Sequence, residues 1–277
     1  MASPLSIDSR VTLNDGVAMP LLGFGTYQIA SGNRCERVVE HALRRGYRHI
    51  DTAALYGNEG DVGRAVRNAG VSRAEIFVAT KLWNSDQGYD STFRAFDRSL
   101  SRLGLEMIDL YLIHWPEPGK RLDAWRAMVE IKKQGRCRSI GVSNFTIRHL
   151  EELLRVSGTV PSVNQVEFSP FLYQRELLQF CVGKGIRLVA YCPLTRGDKL
   201  KHPLLVTLGR KHGKTAAQVM LRWALQHGVG AIPKSVRTAR IDENAALFDF
   251  ALSDADMADL DRLDEGYRTC WDPSRVR

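Results

Sequence analysis

Eight short apolar segments, separated by longer amphipathic segments, constrain the fold of this chain most strongly. Short, mostly apolar runs are typical of strands that are buried on both faces of a sheet. Strands that alternate with helices form parallel sheets with right-handed crossovers. Eight such units predict an α/β fold, a closed (β/α)8 TIM barrel. The predicted strands are Leu22–Gly25, Arg48–Asp51, Ile76–Thr80, Ile108–His114, Ser139–Ser143, Ser162–Glu167, Arg187–Tyr191 and Gly230–Pro233.

The segments between the predicted strands carry helix signals. Apolar residues recur on one face of Asp90–Leu103. Thr215 and Gln218 have the spacing of a capping box at the start of a helix. Thr146 precedes another apolar-periodic segment and is predicted to cap it. These signals support the alternation of strands and helices.

The two ends of the chain add elements to the barrel. Val11–Met19 contains Asn-Asp-Gly between apolar residues, which predicts a β-hairpin, and we expect it to plug the bottom of the barrel. Asp254–Asp264 predicts an extra C-terminal helix. The irregular end beyond it, with Tyr267 and Trp271, is either a pocket-edge loop or an inert tail. Since no linker divides the chain, residues 1–277 are expected to form one domain.

The charge balance has two interpretations. The net charge is +8 and the isoelectric point is near 9.4, which suits either nucleic-acid binding or a solvated basic surface. The basic residues are dispersed and form no tract of five, which favours the basic surface and predicts no nucleic-acid partner. Anionic small molecules, including a phosphorylated cofactor, remain expected partners.

Cysteine usage and hydropathy bear on location. The five cysteines include no C-x-x-C pair, which argues against a disulfide framework or a zinc site and for a reducing compartment, and no metal site is predicted. The N-terminus lacks the apolar core of a signal peptide. No apolar run reaches the ~20 residues that span a bilayer. We therefore expect a cytoplasmic protein without a membrane partner.

Four polar residues fall at or near the ends of neighbouring predicted strands. Asp51 ends the second strand, Lys81 follows the third, His114 ends the fourth, and Tyr56 lies in the loop after Asp51. The carboxyl ends of barrel strands converge on one mouth. Individually these residues could be a helix cap, a solvated lysine, a core histidine and a packing aromatic. Together, at the same rim, they favour a catalytic site.

The four side chains suggest proton transfer coupled to hydride transfer. A tyrosine titrates near pH 10, and a neighbouring ammonium favours the phenolate. Lys81 is therefore predicted to lower the pKa of Tyr56, with Asp51 keeping Lys81 charged. His114 can orient a carbonyl oxygen through a hydrogen bond. The predicted reaction is proton delivery by Tyr56 to an oxyanion that forms as a hydride arrives.

A doubly wound dinucleotide-binding fold is the structural alternative. Its fingerprint, G-x-G-x-x-G, needs a third glycine that does not follow Gly23-Phe24-Gly25 at the right place. If the chain holds a nucleotide, it must therefore do so in another way.

Several motifs resemble the aldo-keto reductase family, in matching order and spacing. GYRHIDTAALYGNEGDVG (Gly46–Gly63), RSIGVSNF (Arg138–Phe145) and IPKSVRTARIDEN (Ile232–Asn244) are similar to its three signatures. LGFGTY, KLWNSDQGY, DLYLIHWP, NQVE and KTAAQVMLRW extend the resemblance from about Val11 to about Asp264. The chain looks most like compact microbial and protozoan members, which include prostaglandin F synthases and 2,5-diketogluconate reductases.

The resemblance implies a catalytic tetrad of Asp51, Tyr56, Lys81 and His114, and NADP(H) extended across the barrel mouth. The implied cofactor contacts are Gly25, Thr26, Tyr27, Asp51, Ser143, Asn144, Gln165, Tyr191, Cys192, Pro193, Leu194, Lys234, Ser235, Val236, Arg240, Glu243 and Asn244.

Each part of the cofactor has its implied residues. Ser143, Asn144 and Gln165 would hold the carboxamide, and Tyr191 would stack on the nicotinamide. Residues 192–194 would approach the pyrophosphate, and residues 243–244 the adenine.

Lys234, Ser235 and Arg240 would hold the adenosine 2′-phosphate, because charge-assisted hydrogen bonds to phosphate are strong. Two departures from the family stand out. Cys192 occupies a position where the family often has serine, and Thr195–Leu200 is short, which predicts a weak cofactor lid.

The resemblance and the residues together predict NADPH-dependent reduction of aldehydes or ketones by a monomer, with quinones and prostaglandin-like carbonyls as possible substrates. Tyr27, Trp83, Trp115 and Trp271 are the predicted substrate walls, beside Tyr56 and His114. Aromatic walls favour apolar or aromatic carbonyl compounds, although Trp115 could equally be a core residue. The alternatives are a cofactor-sensing binding subunit with little turnover and an RNA-binding protein.

Overall fold

The computed structural model describes residues 5–276 as a sheet of parallel strands surrounded by helices. The strands are β1 (Arg10–Thr12), β2 (Ala18–Pro20), β3 (Phe24–Gly25), β4 (His49–Asp51), β5 (Phe77–Leu82), β6 (Ile108–Ile113), β7 (Cys137–Ser143), β8 (Val163–Glu167), β9 (Arg187–Tyr191) and β10 (Gly230–Ala231). The helices are α1 (Asn33–Arg44), α2 (Glu59–Asn68), α3 (Tyr89–Leu103), α4 (Arg121–Lys133), α5 (Ile147–Ser157), α6 (Arg175–Gly183), α7 (Pro203–His212), α8 (Ala216–Gln226), α9 (Thr238–Ala245) and α10 (Asp254–Asp261).

Strands β3 to β10 pair in chain order and in parallel, and backbone hydrogen bonds close them into a barrel. At the seam, the Gly23 amide donates to the Ala231 carbonyl at 2.8 Å, and the Ala231 amide donates to the Leu21 carbonyl at 2.9 Å. The seam is tight: a Cβ on Gly25 would lie 2.8 Å from the Ile232 carbonyl oxygen. The predicted (β/α)8 barrel is confirmed.

The predicted hairpin is confirmed as a plug at the amino-terminal ends of the strands. β1 and β2 pair antiparallel, and the Leu13 amide donates to the Val17 carbonyl at 2.9 Å. Leu13 and Met19 are buried against inward-facing barrel residues. Those residues are Phe77, Ala79, Leu110, Leu112, Val163, Val189 and Ile232. Apolar side chains thus fill the barrel interior below the mouth.

Helices cover the outside of the barrel, and the predicted caps are present. Thr215 accepts a hydrogen bond from the Gln218 amide at the start of α8, and the Gln218 side chain accepts one from the Thr215 amide. Thr146 caps α5, where the His149 ring bonds back to the Thr146 amide. Helix α7 was not predicted; its first residue is a proline, which suits a helix start.

Several predicted boundaries were wrong by a few residues. Strand β5 includes Lys81, which pairs with Leu112 of β6, so this lysine lies within the strand rather than after it. Only the first half of the predicted strand Gly230–Pro233 is a strand, and His114 directly follows β6. Helix α10 ends at Asp261, because the chain then turns back toward the barrel mouth.

The C-terminal segment returns to the carboxyl ends of the strands. The Glu167 carboxylate at the end of β8 accepts hydrogen bonds from the backbone amides of Thr269 (2.6 Å) and Cys270 (3.2 Å). The segment therefore forms a pocket edge rather than an inert tail. Within residues 5–276, no helix has the length and apolar character needed to cross a membrane.

Candidate active site

A buried ion pair lies at the centre of the barrel mouth. Asp51 ends β4 and Lys81 lies on the neighbouring β5, and both side chains are almost fully buried. Lys81 Nζ donates to Asp51 Oδ1 at 2.5 Å and to the Thr52 carbonyl at 2.9 Å. The second oxygen of Asp51 accepts from Gln165 Nε2 at 2.7 Å. Since every strong donor and acceptor here is used, the pair can remain charged in the interior.

Tyr56 lies next to this ion pair at the barrel mouth. It ends the short helical turn Ala54–Tyr56, which directly follows β4. Lys81 Nζ lies 3.5 Å from Tyr56 Oη and 5.1 Å from the centre of its ring. Gly57, in the left-handed region at φ 68°, ends the turn. The loop after β4 thus places the phenol beside the ammonium, as the sequence predicted.

The protonation of Tyr56 differs from the sequence-based expectation. Burial, and then the Asp51 carboxylate, raise the pKa of Tyr56 well above its usual value near 10. Burial lowers the pKa of Lys81, and Asp51 opposes that shift. The predicted net lowering of the pKa of Tyr56 is therefore wrong, because burial and the Asp51 carboxylate both disfavour the phenolate. Tyr56 is a neutral phenol that carries a proton to donate.

His114 completes the group as an uncharged ring. Burial, and then the charge of Lys81, lower its pKa well below the usual value. The ring packs edge-on against Tyr56 at 5.7 Å and against Trp83 at 5.3 Å between centroids. Its Nδ1 atom has no hydrogen-bond partner within residues 5–276. A neutral imidazole can donate one hydrogen bond without competing for the proton of Tyr56.

A cleft of about 1050 Å³ crosses the barrel mouth and joins most of the predicted site residues. It reaches from aromatic side chains at one end to basic side chains at the other. The predicted residues that line it are Gly25, Tyr27, Asp51, Tyr56, Trp83, His114, Trp115, Ser143, Asn144, Gln165, Tyr191, Cys192, Pro193, Leu194, Lys234, Ser235, Val236, Arg240, Glu243, Asn244 and Trp271.

Two predicted site residues lie behind the wall of the cleft. Lys81 is beneath Tyr56, and Thr26 is fully buried, where its hydroxyl donates to the Asp51 carbonyl at 2.9 Å. Thr26 therefore supports the loop that carries the site. Trp115 lines the cleft and packs against Trp271 at 5.6 Å between ring centroids, so it is a wall residue rather than a core residue.

The predicted carboxamide residues already form a hydrogen-bond network. Asn144 Nδ2 donates to the His114 carbonyl at 2.9 Å, and its Oδ1 accepts from the Tyr191 hydroxyl at 2.7 Å. Ser143 donates to the Gln165 carbonyl at 2.8 Å. Asn144 also adopts a left-handed backbone conformation at φ 65°, which is costly for a residue with a side chain. The network fixes the floor of the cleft between the ion pair and Tyr191.

The basic end of the cleft presents cations that have no carboxylate partner among the described residues. Lys234 and Arg240 are exposed, and within residues 5–276 neither forms an ion pair. Burial, and then the nearby Arg34, lower the pKa of Lys234. Repelling cations of this kind provide a site for an anion.

Sequence reasoning missed further residues that line the cleft. They include Gln28, Leu55, Arg196, Arg237, Arg268, Thr269 and Cys270. Most lie in irregular loops, whose path depends on tertiary contacts rather than on periodicity. Glu167, at the end of β8, could have indicated the C-terminal lining residues. A buried carboxylate at a strand end requires hydrogen-bond donors, and here the C-terminal segment supplies them.

The fold and the site define a barrel enzyme suited to proton-coupled carbonyl chemistry, and comparisons with known proteins agree. Residues 21–265 match the aldo/keto reductase family. The chain is 48% identical to a glyoxal reductase of Bacillus subtilis over 99% of both chains. It is 46% identical to a 9,11-endoperoxide prostaglandin H2 reductase of Trypanosoma cruzi, over 95% of this chain and 94% of the relative.

Solved structures agree as well. A mutant of Gox0644 in complex with NADPH superposes with a TM-score of 0.92 at 41% identity, covering 97% of this chain and 98% of that one. The chain belongs to the aldo/keto reductase family. It is an NADP-dependent oxidoreductase that acts on carbonyl groups.

The protonation states predict a flat pH profile for carbonyl reduction. The raised pKa of Tyr56 keeps its proton in place, and the lowered pKa of His114 keeps that ring neutral. We expect kcat/KM for reduction to change less than about twofold between about pH 6 and about pH 8.5. Steady-state kinetics at constant ionic strength would check this. A fall of tenfold across that range would mean that one of the two groups titrates within it.

Proposed function

We propose that this protein reduces aldehydes and ketones with NADPH, with Tyr56 as the proton donor. The observation that carries the proposal is the contact of 3.5 Å between Lys81 Nζ and Tyr56 Oη at the wall of the cleft. Lys81 is itself held by Asp51 at 2.5 Å. A fixed ammonium next to a protonated phenol is suited to a reaction in which that phenol loses its proton.

The cleft fits NADP(H). Its basic end offers Lys234 and Arg240, beside the buried hydroxyl of Ser235, to a phosphate. Its central floor offers the amides of Asn144 and Gln165 to a carboxamide, and Tyr191 offers an aromatic wall. When bound, the cofactor supplies a hydride to the carbonyl carbon of the substrate. The same residues would orient the nicotinamide toward Tyr56.

The protein, and not the cofactor, supplies the proton. Negative charge develops on the carbonyl oxygen as the carbon is reduced, and an alkoxide is a far stronger base than a phenolate. Tyr56 therefore gives up its proton despite its raised pKa. Lys81 stabilises the phenolate as it forms, and the neutral His114 donates a hydrogen bond that orients the substrate oxygen.

The aromatic end of the cleft favours apolar or aromatic carbonyl compounds. Trp83 lies against His114, and Trp115 packs on the exposed Trp271. Tyr27 packs against Tyr56 at 5.0 Å between ring centroids. Because this end opens to solvent through Trp271, it accepts substrates of different lengths, from small dicarbonyls to quinones and prostaglandin-like molecules.

Removal of the Tyr56 hydroxyl tests the proposal directly. Tyr56→Phe is expected to lower kcat for NADPH oxidation with a panel of aldehydes, ketones and quinones by at least about 100-fold. Its affinity for NADPH should stay within about twofold, because the ring remains. Tyr89→Phe, at an exposed tyrosine of α3, is the matched control and should behave as wild type. Equal kcat values for Tyr56→Phe and wild type would end the proposal.

The basic end of the cleft predicts a preference for NADPH over NADH. Arg240→Ala should weaken NADPH binding by about tenfold or more, since it removes a charge-assisted contact to the 2′-phosphate. NADH binding should change little. Fluorescence titration of both cofactors would measure this, with the exposed Arg126→Ala as the control. Unchanged affinity for both cofactors would place the phosphate elsewhere.

A further inference from the structure

Two cysteines from distant parts of the chain meet at the edge of the cleft. Cys192 directly follows β9, and Cys270 lies in the C-terminal segment. Their Sγ atoms are 3.9 Å apart, and both residues line the cleft. A disulfide would need the sulfurs to approach by only about 1.9 Å. The catalytic proposal assigns no role to either thiol.

The surroundings make the two thiols chemically different. An amino group of Arg196 lies 3.3 Å from Cys270 Sγ. Hydrogen bonds from Cys192 and from Arg196 lower the pKa of Cys270 to about 6, although burial opposes them. Donation to Cys270, and then burial, raise the pKa of Cys192. The guanidinium of Arg196 beside Cys270 Sγ thus favours Cys270 as the thiolate of the pair and Cys192 as the thiol.

The backbone around both cysteines holds them in this arrangement. Glu167 binds the amides of Thr269 and Cys270. Cys192 and Arg196 both adopt left-handed backbone conformations, at φ 46° and 53°. Non-glycine residues take such conformations only where the surroundings impose them.

The other cysteines lack these features. Cys35, Cys137 and Cys181 are buried, and burial raises the pKa of each to about 12. They therefore stay protonated and inaccessible. The contrast isolates one reactive pair among five thiols.

We propose that Cys192 and Cys270 form a reversible disulfide that ties the C-terminal segment to the loop after β9 and so restricts exchange of the cofactor. The oxidant is a peroxide. The disulfide itself stands on the thiol geometry alone, whereas its effect on the cofactor rests on the proposed cofactor site.

The reaction proceeds in two balanced steps. Cys270 thiolate attacks one oxygen of hydrogen peroxide, the O–O bond breaks, and the hydroxide that leaves takes a proton to become water. The sulfur of Cys192 then attacks the sulfenic sulfur of Cys270, and its proton leaves with the sulfenic oxygen as water. In total the thiolate and the thiol give two electrons and one proton to the peroxide, solvent supplies the second proton, and a dithiol reductant reverses the change.

Peptide mapping tests the bond. The reduced full chain is treated with one equivalent of hydrogen peroxide, and a non-reducing digest should contain one cross-linked peptide pair with Cys192 and Cys270, lighter by two hydrogens. Cys181→Ser should form the same cross-link, whereas Cys192→Ser and Cys270→Ser should form none. Because either Cys192→Ser or Cys270→Ser is sufficient for this comparison, the test still holds if one of these two variants fails to fold. Absence of the cross-link in wild type, or sulfinic acid at Cys270 in its place, would overturn the proposal.

The role of Arg196 has its own measurement. Arg196→Met should slow alkylation of Cys270 by iodoacetamide at pH 7, and shift the midpoint of its pH profile upward, because the thiolate loses a cation. Arg210→Met, at an exposed arginine of α7, is the matched control and should leave the profile unchanged. An unchanged profile in Arg196→Met would contradict the assigned thiolate.

Stopped-flow release of NADPH tests the consequence. The cross-linked protein should release NADPH at least about tenfold more slowly than the reduced protein, and dithiothreitol should restore the rate. Equal release rates would refute the restriction of exchange. Because the cross-link is measured by mass, its presence is decided independently of carbonyl reduction.

Discussion

The buried ion pair of Asp51 and Lys81 is the interaction on which the rest of the site depends. Burying two charges costs several kcal/mol per ion unless geometry and further hydrogen bonds compensate. Here Gln165 and the Thr52 carbonyl supply those bonds. A buried ion pair of this kind adds little to the folding stability of a protein. Its effect here is to fix the Lys81 ammonium 3.5 Å from the Tyr56 hydroxyl. In the proposed mechanism the cation stabilises the phenolate only when it forms, which is the requirement for catalysis rather than for binding.

The barrel explains why these groups meet. Asp51 and Lys81 come from neighbouring parallel strands, so their carboxyl ends lie at one mouth. Neutral side chains and cationic side chains occupy different parts of the cleft across that mouth. Tyr56 and His114, both neutral, lie at the proposed reacting end, and Lys234 and Arg240, which have no carboxylate partner within residues 5–276, lie at the other. In the proposed function, the charged end holds an anion while the reacting end keeps its proton for the substrate.

The sequence predicted most of the fold and of the site, for a physical reason. Alternating apolar strands and amphipathic helices specify a parallel barrel, and a barrel brings strand ends together, so Asp51, Lys81 and His114 could be placed in advance. The protonation of Tyr56 could not, because it depends on burial that no local pattern reports. The meeting of Cys192 and Cys270, 78 residues apart, likewise depends on a loop path that the Glu167 contacts determine.

A double-mutant cycle on the rate of hydride transfer tests the central claim, that Lys81 acts through the Tyr56 hydroxyl. The rate is measured in single turnover for wild type, Lys81→Met, Tyr56→Phe and the double variant. If the ammonium serves the phenol, the double variant should be no slower than the slower single variant, because each change removes the same interaction. Losses that add on a logarithmic scale would contradict the account, since the two groups would then act independently.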